Sequence, residues 1–261
     1  MIAILSATDN PLYSFFIPIT TWSWNKLGIK TCVFIPKQEY SESFKLAIHE
    51  TSIVNQFYPF EAEPKRIPTY SQVSRLFGSC IDEYKDEYLI TGDIDLAVFS
   101  DLFSKADLNA INIYGEDLTN YTEFPLSFIG MPYNKWESIF NTKGRTAQEC
   151  VSELIDPIEG ENIRGEQWSY DQWYATKKIK ESGIEYNSHL RSKSNTNRTA
   201  KNRADRDGWQ YDVNGLVDAH LPRPGYEPEN FAKILKLFKD VYPQENFDWM
   251  VEYRNLFVSL L

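Results

Sequence analysis

Cysteine, histidine and methionine each occur only three times in 261 residues. The cysteines, Cys32, Cys80 and Cys150, are odd in number, far apart and set in mixed apolar sequence. That pattern fits reduced thiols buried as small hydrophobes in a cytosol-like compartment. No apolar run approaches the roughly 20 residues of a membrane span, and the opening "MIAILSATDN" turns polar too soon for a signal peptide. A cytoplasmic protein without a membrane span is expected. Positive charge is in deficit as well: 27 basic against 37 acidic residues leave a formal charge of −10. Nucleic acid is therefore disfavoured as the main partner, since such affinity comes largely from basic side chains that displace counterions.

Apolar residues are plentiful, at 42% with 15% aromatic, enough for the core of one large domain or two small ones. "MIAILSA" predicts a short buried strand. "TDNPLYSFFIPITTWSWNKLG" predicts a helix capped by Asp9 or Asn10, opened by Pro11, bent or interrupted at Pro18 and stopped at Gly28. "KTCVFIP", "IVNQFYPF" and "EYLITGD" predict further strands, separated by the helical "SESFKLAIHE" and "TYSQVSRLFGSCIDEY". Strands alternating with helices predict an α/β fold, with a mostly parallel central sheet flanked by helices on both faces. Beyond it, "LNAINIYGED" and "PLSFIGMPY" read as strands and "NKWESIF" and "TAQECVSELI" as helices. "WSYDQWYATKKIKES" reads as an amphipathic helix capped by Ser169. The remainder is less regular: "NSHLRSKSNTNRTAKNRADRDGW" is polar and basic, "DVNGLVDAHLPRPGY" is turn-rich, and "PENFAKILKLFKDVYP" is a helix before an aromatic tail.

The stretch "YLITGDIDLAVF", residues 88–99, sets Asp93 and Asp95 between apolar runs at the end of the fourth strand. An unpaired buried charge costs several kcal/mol by order of magnitude, so a positive partner is expected beside them. Carboxylates at i and i+2 can face one cation, and Mg²⁺ or Mn²⁺ favours such oxygen ligands when phosphate oxygens complete its shell. Open α/β sheets bind ligands outside the carboxyl ends of their strands, which is where this pair falls.

The motif "LITGDIDLAVF" resembles the Asp-x-Asp of metal-dependent glycosyltransferases of the GT-A fold, in their small stand-alone bacterial or large-DNA-virus form. The resemblance implies donor contacts at Ala7, Thr8 and Asp9 in "SATDN", at Arg75 in "SQVSRLF", and at Asp93, Ile94 and Asp95. It further implies Mn²⁺ or Mg²⁺ held by Asp95, Asp93 and His220 of "VDAHLPRP", with Asp95 the direct ligand and Asp93 the donor contact. Asp171 in "DQW" would be the catalytic base of an inverting reaction. The implied partners are a nucleoside diphosphate sugar and a glycan or other hydroxyl acceptor. The implied organisation is a single domain over residues 1–261, with a nucleotide-sugar-binding half at 1–100, an acceptor-binding and catalytic half at 101–225, and a C-terminal helix and tail at 226–261.

Each of these residues has a plainer reading. Aspartates cap backbone amides in turns, and an acid in a first helical turn favours the macrodipole. His220 shares the chain with His49 and His189, and a lone histidine is commonly structural. Arg75 also suits the surface of an amphipathic helix. Arg191, Lys193, Arg198, Lys201, Arg203 and Arg206 form either a solvated loop or a mobile lid over the pyrophosphate. The aromatics Trp136, Trp168, Trp173, Tyr133 and Tyr170 fill the core or line an acceptor cleft. Two other functions compete: a nucleotide-sugar-binding module without turnover, and a phosphatase of the haloacid-dehalogenase type, whose Asp-x-Asp normally lies on the first strand.

Overall fold

The computed structural model describes residues 1–51, 56–62, 66–100, 102–103, 106–118, 123–156, 169–191, 193–194, 197–200 and 202–261. The first strand, β1 (Ile2–Ser6), is followed by two short helices, α1 (Pro11–Ser14) and α2 (Ile17–Lys26). Asn10, not Asp9, caps α1 by accepting from the Leu12 amide. The expected interruption falls at Phe15 and Phe16, which places Pro18 in the first turn of α2, where its missing amide costs nothing. Then come β2 (Lys30–Pro36), α3 (Glu42–His49), β3 (Gln56–Phe60) and α4 (Ile67–Ser74). A 3₁₀ segment (Arg75–Cys80) leads to β4 (Tyr88–Thr91) and, after the two aspartates, to β5 (Leu96–Val98).

The middle of the chain supplies β6 (Ile111–Tyr114), β7 (Ile129–Pro132), α5 (Tyr133–Phe140), α6 (Ala147–Ile155) and α7 (Tyr170–Glu181). Ser169 precedes α7 but makes no capping bond with its side chain. The region that the sequence reads as irregular contains strands: β8 (Tyr186–His189), β9 (Lys193–Ser194), β10 (Asn197–Ala200), β11 (Arg203–Asp205) and β12 (Asp218–His220). Helix α8 (Pro228–Val241) is as predicted, and the aromatic tail is also helical, as α9 (Asp248–Ser259).

The main sheet runs β3-β2-β1-β4-β7-β6-β8, parallel except where β7 lies antiparallel to both β4 and β6. Along the inner strands both faces are buried, as a parallel sheet requires, whereas the edge strands β3 and β8 are partly exposed. Along β1, Ala3 and Leu5 enter one apolar layer, built with α2, α3, α8 and α9. Ile2 and Ile4 enter the other, built with α4, α5, α6 and α7. The second layer also holds Cys32 and Cys150. All three cysteines are free thiols, and the fold brings Cys80 and Cys150 to 3.8 Å between sulfurs despite their distance in sequence.

The chain moves outward from β1 through β2 to β3, then returns to pair β4 on the opposite flank of β1. Sheets of this kind bind ligands at such a reversal, here at the carboxyl ends of β1 and β4. A second sheet of three strands, β11-β12-β5, begins directly after the aspartates. No helix among the described residues is long and apolar enough to cross a membrane.

Candidate functional site

The loop from Gly92 to Asp95 leaves β4 at this reversal, and its backbone is fastened from several sides. Gly92 donates to the Ile4 carbonyl at 3.0 Å, and its own carbonyl accepts from Arg75 Nη1 at 3.1 Å. Thr20 Oγ1 donates to the Ile94 carbonyl at 2.6 Å, and the Leu221 amide donates to the Asp95 carbonyl at 2.9 Å. Glycine is needed at 92 because a Cβ there would lie 2.6 Å from Leu5 Cδ2 and 3.1 Å from Trp24 Cζ2. The loop is thus a fixed platform for its two carboxylates.

Arg75 is the positive partner expected for Asp93. Its guanidinium, buried at 7% exposure, joins Asp93 Oδ1 through Nη1 and reaches Asp171 Oδ2 at 2.6 Å through Nη2. Burial alone would lower the arginine's proton affinity, but Asp93 and then Asp171 outweigh it and hold the guanidinium protonated. Burial likewise pushes Asp93 up, and the Arg75 charge overrides this, pulling its carboxyl down to about 2. Asp171 shifts the other way: it is wholly buried, and desolvation exceeds the attraction of Arg75. Its second oxygen accepts from the Gln172 amide at 2.8 Å.

Asp95 anchors a separate constellation. Its Oδ2 accepts from Arg206 Nη2 at 2.9 Å, with His220 Nε2 and Arg223 Nε each 3.6 Å away. The small sheet makes this meeting possible, because His220 pairs in register with Leu96 on β5 and with Asp205 on β11. His220 Nδ1 accepts from Arg206 Nε at 3.3 Å and lies 3.8 Å from Asp205 Oδ2. Arg206 Nη1 is buried with no hydrogen-bond partner. The guanidinium of Arg223 also packs 4.8 Å from the ring centre of Tyr13.

Other expectations fall elsewhere. Ala7 is buried at the carboxyl end of β1, with Thr8 half-buried after it. Asp9 is committed to α3, accepting from the Ser41 amide and hydroxyl at 2.6 Å each. In the basic stretch, Arg191 and Arg203 are neither solvated nor lid-like, for both bind the fully buried Asp218. Lys201 lies outside the described residues, as do the side chains of Lys193 and Arg198. Trp136 and Tyr133 are core, and Trp136 Nε1 donates to the Leu89 carbonyl at 3.1 Å. Trp173 is 42% exposed and lies 5.3 Å from the ring of the half-buried Tyr170; Trp168 lies outside the described residues. His49 ends α3, and His189 stacks on Tyr114 with Nε2 2.9 Å from Asn112 Oδ1.

Arg223, Asp205 and Asp218 also belong to these clusters, and no motif in the sequence assigns them a role. The Pro-flanked arginine of "LPRPG" marks Arg223 and the alternating signs of "RADRD" mark Asp205, while Asp218 in "VDAH" carries no local signal. Across the region, Asp93, Asp95, Asp171, Asp205 and Asp218 stand against Arg75, Arg191, Arg203, Arg206 and Arg223, so the charges cancel.

Among the described residues, no three His, Cys, Asp or Glu side chains converge so as to hold a metal ion. Asp93 is engaged by Arg75, which leaves Asp95 Oδ2 and His220 Nε2, 3.6 Å apart. A carboxylate oxygen suits Mn²⁺ or Mg²⁺ and an imidazole nitrogen is better accepted by Mn²⁺, so with substrate phosphates supplying the rest of the shell the pair fits a two-ligand site, Mn²⁺ the more closely.

No protein-family description and no curated protein matches this chain. Among solved structures it is similar to LgtC, a galactosyltransferase determined with donor and acceptor sugar analogues, at 12% identity and a TM-score of 0.48 over 95% of this chain and 99% of LgtC. An active-site mutant of LgtC gives 13% and 0.49 over the same shares. The glycosyltransferase GlyE of Streptococcus pneumoniae TIGR4 gives 17% and 0.42 over 72% of this chain and 44% of GlyE, so the chain spans less than half of that protein. A glycosyltransferase involved in glycosylation of the major capsid of PBCV-1 gives 12% and 0.41 over 90% and 98%. These are likenesses of form at low identity and transfer no residue role.

Proposed function

We propose that the protein transfers a sugar from a nucleoside diphosphate sugar to an acceptor hydroxyl, with Mn²⁺ or Mg²⁺ at Asp95 and His220. The observation that supports this is the meeting of Asp95 and His220, 125 positions apart in the chain, within 3.6 Å at the strand reversal of the sheet. When bound, the ion would neutralise charge on the departing diphosphate. Arg75 holds Asp93 ionised and fixed, so that its remaining lone pairs can orient donor hydroxyls. Ala7 and Thr8, on the neighbouring strand end, and Ile94 would line the donor.

Asp171 receives a different role from the base that the resemblance implies. It has no exposed surface, its two oxygens accept from Arg75 and the Gln172 amide, and it favours the proton more than an ordinary carboxylate. A base must reach the acceptor hydroxyl. Asp171 is therefore a positioning residue for Arg75, and the inverting outcome loses the group on which it rested. The stereochemistry is read from the anomeric proton coupling of the product.

The haloacid-dehalogenase reading requires a nucleophile at Asp93 after the first strand, whereas Asp93 follows the fourth and is paired with Arg75. The test is a panel of nucleoside diphosphates and their sugars, with and without Mn²⁺, followed by melting temperature and by acceptor-dependent release of nucleoside diphosphate. Metal-dependent stabilisation with turnover is expected, and Asp95→Ala should abolish turnover. Stabilisation without release would favour the binding module, and near-normal turnover in Asp95→Ala would remove the central assignment.

A further inference from the structure

Arg206 touches both side chains assigned to the metal. Its Nη2 donates to Asp95 Oδ2 at 2.9 Å and its Nε donates to His220 Nδ1 at 3.3 Å. One guanidinium therefore spans the two prospective ligands from a position one residue beyond β11.

The contact to His220 has a consequence for the far side of the ring. Arginine has no acceptor, so Nδ1 must present its lone pair to the Nε–H group. A neutral imidazole with its lone pair on Nδ1 carries its proton on Nε2, the atom 3.6 Å from Asp95 Oδ2. In this arrangement the nitrogen that faces Asp95 has no lone pair to give a cation. Coordination through Nε2 needs the other tautomer, with the proton on Nδ1. The nearest acceptor for that proton is Asp205 Oδ2, which lies 3.8 Å from Nδ1 and would close to hydrogen-bond distance as Arg206 leaves. A carboxylate behind a ligating histidine is the usual means of fixing its tautomer.

We propose that Arg206 is a gate on the metal site: it neutralises Asp95 and holds His220 in the non-ligating tautomer, and it must leave both before a divalent cation binds. The inference rests on the metal assignment of the proposed function and adds its control. Arg206 Nη1, buried and unpartnered, is a donor still to be satisfied. A diphosphate oxygen is the chemistry that would draw the guanidinium away, because a phosphate accepts several charge-assisted bonds at once. Arg223 Nε, 3.6 Å from Asp95, remains near the carboxylate when Arg206 departs. Metal and diphosphate then bind with positive coupling, each favouring the state in which Arg206 has moved.

The test uses the full chain and Mn²⁺ alone, with free Mn²⁺ followed by electron paramagnetic resonance. Arg206→Met should bind Mn²⁺ about tenfold or more tightly than the wild type, the scale of one lost charge-assisted competitor. Adding Asp95→Ala to that variant should abolish the gain. Unchanged or weaker Mn²⁺ affinity in Arg206→Met, with binding still dependent on Asp95, overturns the gate and leaves the metal site standing. Binding that ignores Asp95, or none in either protein, overturns the metal assignment and the gate together. A second measurement does not depend on the folding of any variant. Nitrogen-15 spectra of the wild type should show His220 protonated at Nε2 without metal and at Nδ1 at saturating Mg²⁺. A tautomer that does not change on saturation overturns the gate.

Discussion

Two arginine–aspartate clusters lie at opposite ends of the three-residue strand β12, and they differ in one respect. At Asp218 the aspartate is fully buried and takes Arg191 and Arg203 in a closed set of charge-assisted bonds, with Arg191 only 4% exposed. Burial raises the proton affinity of Asp218, and the two guanidinium groups more than reverse this. At Asp95 the set is open: Arg223 and His220 are each about a third exposed at 3.6 Å, and Arg206 keeps a buried donor unused. A closed cluster fixes the fold. An open one has capacity left for a ligand.

Removing each aspartate is the strongest way to break this comparison. Asp218→Ala strands two buried guanidinium groups and should cost about 3–5 kcal/mol of unfolding free energy. Asp95→Ala takes the carboxylate from the largely buried Arg206 but leaves Arg223 and His220, each about a third exposed, within reach of water, and should cost about 1–2 kcal/mol while abolishing transfer. Urea melts of the two variants, beside turnover, separate them. Equal destabilisation would show that the clusters do the same work.

Acid provides a second comparison. Asp93 has a folded value of about 2 against an ordinary 3.8, so its contribution is full above the unfolded value and disappears as pH falls through the folded one. Nearly two units correspond to about 2 kcal/mol lost between roughly pH 4 and pH 2. Asp218 has the same sign. Asp171, shifted upward, has the opposite sign: its contribution is present below the unfolded value, is lost as pH rises through the folded one, and offsets part of the acid loss. Urea melts at pH 7, 4 and 3 should show a shallower acid decline for Asp93→Asn than for the wild type. Matching declines would mean that the Arg75 pair does not hold Asp93 ionised.

The first half of the molecule was legible because β1, β2 and β4 are apolar runs between punctuated helices. A mostly parallel sheet with a site at its strand ends follows from that alternation, whereas the strand order and the antiparallel β7 do not. The strands β8, β11 and β12 were not legible, for "YNSH", "RAD" and "DAH" are short, polar and without a two-residue rhythm. They exist because partners distant in sequence complete them. Helix α9 did carry a signal, since Met250, Tyr253 and Phe257 recur at helical spacing and all three are buried. At the site, Asp93 and Asp95 stand out in the sequence itself, Arg75 and His220 only through the resemblance, and the four meet in two adjoining clusters. Arg206 is one charge in a run, and Arg223 and Asp205 carry only the faint marks of a proline-flanked arginine and of alternating signs. What distinguishes them is pairing with residues on other strands, Arg206 with Asp95 across 111 positions, which no local pattern encodes.

The smallest perturbation sharpens the same contrast from beneath the loop. Thr20 and Ser23 both sit on α2, fully buried, with hydroxyls bonded to neighbouring chain. Thr20 holds the Ile94 carbonyl between the two aspartates, whereas Ser23 accepts from the Val98 amide at 3.0 Å, farther along β5. Thr20→Val and Ser23→Ala each leave one backbone group unsatisfied, at a cost of about 1–2 kcal/mol. Only Thr20→Val frees the segment that aims Asp93 and Asp95. It should raise the donor KM several-fold at nearly constant kcat, while Ser23→Ala leaves KM unchanged at the same loss of stability. If both variants move KM alike, the open cluster depends on the whole helix α2 rather than on the anchored carbonyl of Ile94.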